Sequence, residues 1–192
     1  TNHRVVPLTH YLWLTTYRNT MKAVKGTEFE VTIPKLSDKP VVLKDEKGVF
    51  SDKNFHSVAA ITKYLHKNRI FIKRQHVLDG LIRYLKANNG LPAICFVFSR
   101  KHVEQAANEM SFSLYDADST IPSTIEQECR NILTSKLPNF KEYLQLPEYV
   151  NLLKLLKKGI GIHHAGVLAV FREMVEMLFE RKIIKLLFAT ET

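Results

Sequence analysis

Three short segments of this chain carry residues able to do chemistry: Ser99-Arg100-Lys101, His163-His164-Ala165-Gly166 and Thr190-Glu191-Thr192. Adjacent histidines raise metal ligation first. In an extended segment, neighbouring side chains point to opposite faces, so His163 and His164 cannot both reach one ion. On a helix, chelation needs i, i+4 spacing, as in HExxH. No metal is expected here. Nucleophilic catalysis is poorly served too: there is no GxSxG elbow, and Ser99 precedes basic residues without an evident base. Phosphate binding suits all three segments, which mix small residues, hydroxyls and cations. Two of them lead into helices, whose N-termini hold phosphate through free N–H groups and the dipole. Gly166 allows close backbone approach. Singly, each segment reads as a cap or a connection. Together on one edge they read as a row of phosphate contacts, which fix position and carry no sequence code.

Such a row needs strands that end side by side. PAICFVF at 92–98 is continuously apolar and β-rich, as expected of a strand buried on both faces of a parallel sheet. Ser99 is placed to cap a helix from Arg100 to about Met110. Pro122 opens a helix that Pro138 ends, and another helix spans about 147–158. Ile160–Ile162 is a short strand. Val167–Glu180 places Val167, Leu168, Val170, Phe171, Met174, Val175 and Leu178 on one helical face. IIKLLF at 183–188 is a further buried strand. This alternation predicts an α/β fold with a parallel sheet, whose ligands lie beyond the carboxyl ends of the strands. A sheet ending at Phe188 would leave an open edge that invites association.

The first part of the chain is less regular. Arg4–Leu8 reads as an extended opening strand, and 8–22 fits neither period. EFEVTI at 28–33 alternates polar and apolar residues and reads as a strand. Residues 34–53 read as loop with a short strand at Val41–Leu43. Ser51 or Asp52 caps a helix from about Asn54 to Lys67. A second helix covers about Gln75–Asn88 and stops at Asn88-Asn89-Gly90. Residues 1–53 are therefore expected to be an irregular lead-in and 54–192 the main domain.

A hydrophobic fraction of 45% in 192 residues allows a real core, and no apolar run is long enough to span a membrane. The opening TNHRVVPLTH lacks a signal-peptide pattern and an initiator Met, and reads as the start of a piece of a longer protein. The net charge of +9 is uneven: residues 1–100 hold 17 Lys and Arg against 7 Asp and Glu, and residues 101–192 hold 11 against 12. That asymmetry suggests a polyanionic partner. Cys95 and Cys129 read as two buried thiols in a reducing compartment, with a disulfide as the alternative. There is no GxxxxGKS/T loop and no DExH run. Asp45-Glu46 falls in a polar loop. The chain lacks the parts needed to hydrolyse ATP by the usual route.

Taken in order, RVVPLTHYLW, VVLKDEKGVFSDKNF, PAICFVFSRK, LLKKGIGIHHAGVL and IIKLLFATET resemble the second RecA-like domain of superfamily 2 DExH-box RNA helicases, most of all the superkiller/exosome-cofactor group. FVFSRK resembles motif IV, FATET the start of motif V, and GIGIHHAG the segment between them. The resemblance implies a RecA-like three-layer fold with a mainly parallel sheet, cut off inside motif V. It implies ATP-driven closure of two RecA-like domains on a single strand of RNA, with DNA as the alternative. Ser99, Arg100, His164, Gly166, Thr190 and Thr192 would line the nucleic acid. His163 would be a packed structural residue, and Glu191 would orient its loop. ATP and magnesium would serve the parent protein, none binding tightly to this chain, which by itself would be inactive. Implied partners are the first RecA-like domain and an RNA-decay complex, inside the cell in nucleus or cytoplasm, with no membrane. Two departures stand out: residues 111–150 match loosely, and Ala169 replaces the usual proline. A non-enzymatic docking module with a degenerate helicase fold and a DNA-unwinding relative remain the other readings.

Overall fold

A computed structural model describes residues 6–191 of the chain. Contacts gather into two compact units, Thr1–Tyr84 and Leu85–Thr192.

In the first unit, strands β1 (His10–Trp13) and β2 (Pro40–Lys44) pair antiparallel, with Tyr11 opposite Val42 and Trp13 opposite Pro40. Arg4 and Val5 lie outside the described residues, and the strand starts at His10 rather than near Val6. Helices α1 (Arg18–Ala23), α2 (Phe29–Leu36) and α3 (Asp52–Lys67) follow, and α4 (Arg74–Ala87) begins in this unit. The stretch read as a strand at 28–33 is thus the helix α2. Its alternation misleads because Phe29, Ile33 and Leu36 are also spaced i, i+4, i+7. Winding puts all three against Leu14, Val24, Ile61 and Leu65. The start of α3 is as expected: the Ser51 hydroxyl accepts the Asn54 N–H at 3.4 Å. Helix α3 also braces the ribbon, as Asn54 Nδ2 donates to the Val42 carbonyl at 2.8 Å. A two-stranded ribbon alone would be marginal in water.

In the second unit, β3 (Ala93–Phe96), β4 (Ile160–His163) and β5 (Leu186–Ala189) form a parallel sheet in the order β3-β5-β4. Helices α5 (Arg100–Glu109), α6 (Ile121–Lys136), α7 (Phe140–Tyr143), α8 (Pro147–Leu156) and α9 (Ala169–Glu180) connect and cover it. The strand expected at the sheet's open end is in fact its centre. All four residues of β5 are buried, and β3 and β4 pair with it on either side. Conversely, β3 is an edge strand among the described residues and is not buried on both faces: Ile94 is 47%, Phe96 59% and Phe98 82% exposed. A continuous apolar run does not say which strand takes the centre.

Helix α9 starts at Ala169, leaving Val167 and the exposed Leu168 ahead of it, but buries Phe171, Met174, Val175 and Leu178 as its pattern predicts. Each such side chain contributes about 1.5–3 kcal/mol. They meet Ile125, Cys129 and Leu133 of α6 and Tyr149, Leu152 and Leu156 of α8. The buried Tyr115 hydroxyl donates to the Ile183 carbonyl, tying down the connection that feeds β5. Both cysteines are free. Cys129 is buried, while Cys95, expected to be so, is half-buried in the edge strand.

Gly161 sits where α9 presses on β4. A β carbon there would stand 2.8 Å from Ile184 Cδ1 and 2.9 Å from Val175 Cγ1. Gly161→Ala should therefore destabilise by about 1–3 kcal/mol through overpacking, read as a fall of several degrees in Tm. Gly80→Ala, which would meet Thr15 at an ordinary 3.5 Å, is the control and should not lower it. Equal melting of the two variants would contradict the packing of β4. Burial pushes the Cys129 thiol up to about 12, and burial also raises that of Cys95. Because the thiolate is the reactive form, Ellman's reagent at pH 8 should reach Cys129 only on unfolding, after Cys95. Fast labelling of both thiols in the native chain would contradict this core.

Candidate nucleic-acid interface

The register of the sheet builds the site. Phe96 lies opposite Ala189, and Ala189 opposite His163, so the three strands end level. Beyond that line the chain stays knitted: Val97 N–H donates to the Ala189 carbonyl at 2.8 Å, and Thr190 N–H to the His163 carbonyl at 3.2 Å. Ser99, the 163–166 turn and Thr190 are thereby brought to one edge. Thr192 lies outside the described residues, and Glu191 is exposed just past β5.

Ser99 holds the N-cap position of α5 with extended backbone, yet its hydroxyl makes no capping bond. The expected cap is thus absent, and the hydroxyl is uncommitted. Arg100 is exposed, and its guanidinium has no partner among the described residues. Its Cδ lies 3.7 Å from where a β carbon on Gly166 would stand, so the arginine stem runs beside the turn. Neither α5 nor α9 has a side-chain cap at its start, and in α9 the Phe171 N–H turns back to the Leu168 carbonyl at 2.9 Å.

The two histidines point to opposite faces of the sheet, as strand geometry requires. His163 Nε2 meets Glu176 Oε1 of α9 at 2.6 Å, and His164 Nε2 meets Glu104 Oε1 of α5 at 3.1 Å. Their burial is the reverse of that expected. The packed histidine is His164, only 2% exposed, while His163 is partly open to solvent. The physical reason is where α5 lies: it covers the face to which position 164 turns. His164 Nδ1 also accepts the Gly166 N–H at 3.1 Å. Gly166 therefore gives room at the edge but does not offer its own amide. A β carbon there would press on the His164 ring at 3.1 Å.

Glu104 and Glu176 did not stand out in the sequence. The one signal available was spacing, since Glu104 follows Arg100 by four residues and shares its helix face. Among the described residues no group of three or more His, Cys, Asp or Glu side chains converges as metal ligands would. No helix among them is long and apolar enough to cross a membrane.

No protein-family model matches the chain. Individual proteins do. Superkiller complex protein 2 of Homo sapiens is 30% identical over 202 residues, covering 98% of this chain and 15% of that protein. The ATP-dependent RNA helicase mtr4 of Schizosaccharomyces pombe is 29% identical over 211 residues, covering 100% of this chain and 17% of that protein. The DExH-box ATP-dependent RNA helicase DExH9 of Arabidopsis thaliana is 37% identical over 102 residues, covering 53% of this chain and 10% of that protein. The chain spans less than a fifth of the length of the curated relatives it matches. With a parallel α/β sheet that fits a RecA-like domain and relatives of this kind along its whole length, the chain belongs to the superkiller/exosome group of DExH-box RNA helicases, as one part of such a protein.

Proposed function

We propose that the chain is the second RecA-like domain of an ATP-dependent RNA helicase and that it grips single-stranded RNA by its backbone phosphates. The observation that supports this is the level ending of β3, β5 and β4, which sets Ser99, Arg100, Gly166 and Thr190 along one edge. The Ser99 hydroxyl and the Arg100 guanidinium are uncommitted there, and phosphate oxygens are suitable acceptors for both. The uncapped starts of α5 and α9 add N–H groups and the positive ends of two helix dipoles. Gly166 contributes clearance, His164 holds the turn from within, and the Thr192 hydroxyl is a further candidate contact by residue type. Glu191 orients its loop. None of these contacts reads a base, so the grip is indifferent to sequence.

In this reading residues 1–53 lead in from the first RecA-like domain, and 54–192 carry the second. ATP and magnesium are bound by parts of the parent protein outside this chain, and this chain alone does not hydrolyse ATP. The partners are single-stranded RNA, the first RecA-like domain and, on the names of the relatives, an RNA-decay complex.

The test is fluorescence anisotropy of a labelled single-stranded RNA against the chain, with Arg100→Ala and Thr190→Ala, over a range of salt. Each phosphate contact to a single strand adds about 0.7 to the slope of log affinity against log salt. Binding should be weak and steeply salt-dependent. Arg100→Ala should weaken it and flatten the slope by about that amount, and Thr190→Ala should weaken it as well. Affinity that ignores salt, or that neither substitution changes, would sink the phosphate row.

A further inference from the structure

His164 is a buried polar residue whose two ring nitrogens are both engaged, and the partners fix its chemistry. The Gly166 N–H can only donate, so Nδ1, 3.1 Å away, is the nitrogen with the lone pair. The Nε2 atom then carries the proton and donates to Glu104 Oε1 at 3.1 Å. A carboxylate is an acceptor at neutral pH, so Glu104 selects this tautomer and orients the ring. The ring links two elements that come from distant parts of the chain. On one side is the turn at 164–166, and on the other is α5, whose first residue is Arg100. Arg100 and Glu104 are four apart on that helix, and so lie on one face of it. One anchors the turn through His164, while the stem of the other passes beside Gly166.

We propose that Glu104 is a positioning residue for nucleic-acid binding: through His164 it clamps the Gly166 turn to α5, one turn in from Arg100, and so sets the spacing between Arg100 and the start of α9. Glu104 touches no phosphate. The inference rests on the phosphate-gripping reading above, and it adds a residue that the strand ends alone do not single out. Sheet register levels the strands, but it leaves the loops beyond them free to shift. The relay removes that freedom with one proton held between a ring and a carboxylate.

The two halves of the relay separate by substitution. His164→Asn keeps an acceptor for the N–H two residues on, as asparagine does in its local turns, but its amide nitrogen stops short of the position from which Nε2 reaches Glu104. Glu104→Ala leaves the ring on Gly166 and removes its anchor. Glu104→Gln keeps an oxygen acceptor for Nε2–H. Glu104 is half-exposed, so its variants should fold, which melting curves check. Two readouts are needed. The first is RNA anisotropy, where Glu104→Ala and His164→Asn should each weaken binding about three- to tenfold, an interaction of the usual size between linked residues. The double variant should be no weaker than either alone, and Glu104→Gln should recover most of the affinity. The second is the nitrogen NMR spectrum of the His164 ring, which should show the proton on Nε2 in the wild type and in Glu104→Gln, and a mixture of forms in Glu104→Ala. Wild-type affinity in Glu104→Ala, beside a loss in Arg100→Ala, would overturn the positioning role and leave the phosphate reading intact. Additive losses in the double variant would overturn it too. If Arg100→Ala and Thr190→Ala both bind as wild type, the phosphate reading fails and the positioning role fails with it.

Discussion

The central strand governs the rest. Every residue of β5 is buried, so its backbone polar groups have no access to water and must be satisfied by neighbours. Two parallel partners do this, β3 on one side and β4 on the other. Parallel pairing is regular along the strand and leaves no slack in register. Ala189 therefore fixes where Phe96 and His163 lie, and through them where the three following segments begin. Polar side chains from positions 99, 100 and 190 share one edge with Gly166 because one strand cannot tolerate unpaired amides.

Strand alternation carries the same constraint into side-chain chemistry. Adjacent residues at the end of β4 go to opposite faces, and each face has its own helix. His163 finds Glu176 on α9, and His164 finds Glu104 on α5. A twin-histidine motif thus divides into two separate carboxylate pairs. The buried one has no choice of partner, since an unpaired polar group there would be costly. The partly exposed one is a contact near water, where polar pairs contribute little to stability.

Much of the fold was legible in the sequence. The limits of α3, α4 and α6 followed from caps, prolines and apolar periodicity, signals local to each helix. One strand was misplaced in depth and one in order: PAICFVF is more apolar than its edge position requires, and IIKLLF, read as a buried strand at the sheet's open end, is buried but central. The segment 28–33 failed because six residues satisfy both periods, and only the small core around Ile33 and Ile61 decides between them. At the site, the three strand-end segments were visible as residue types in plausible places. The reversed burial of the two histidines was not, because it depends on which helix covers which face.

The sequence by itself determined the class of the fold and the residues able to meet a phosphate, since periodicity, capping and hydroxyl or cationic chemistry are properties of short stretches. It also placed the chain among helicases through an ordered series of such stretches. Only the tertiary structure decided which strand is central, which histidine is buried, and that Glu104 faces His164 across sixty residues of chain. Those are long-range choices. They are settled by competition between whole elements for burial and for hydrogen-bond partners, and no local window of sequence contains both competitors.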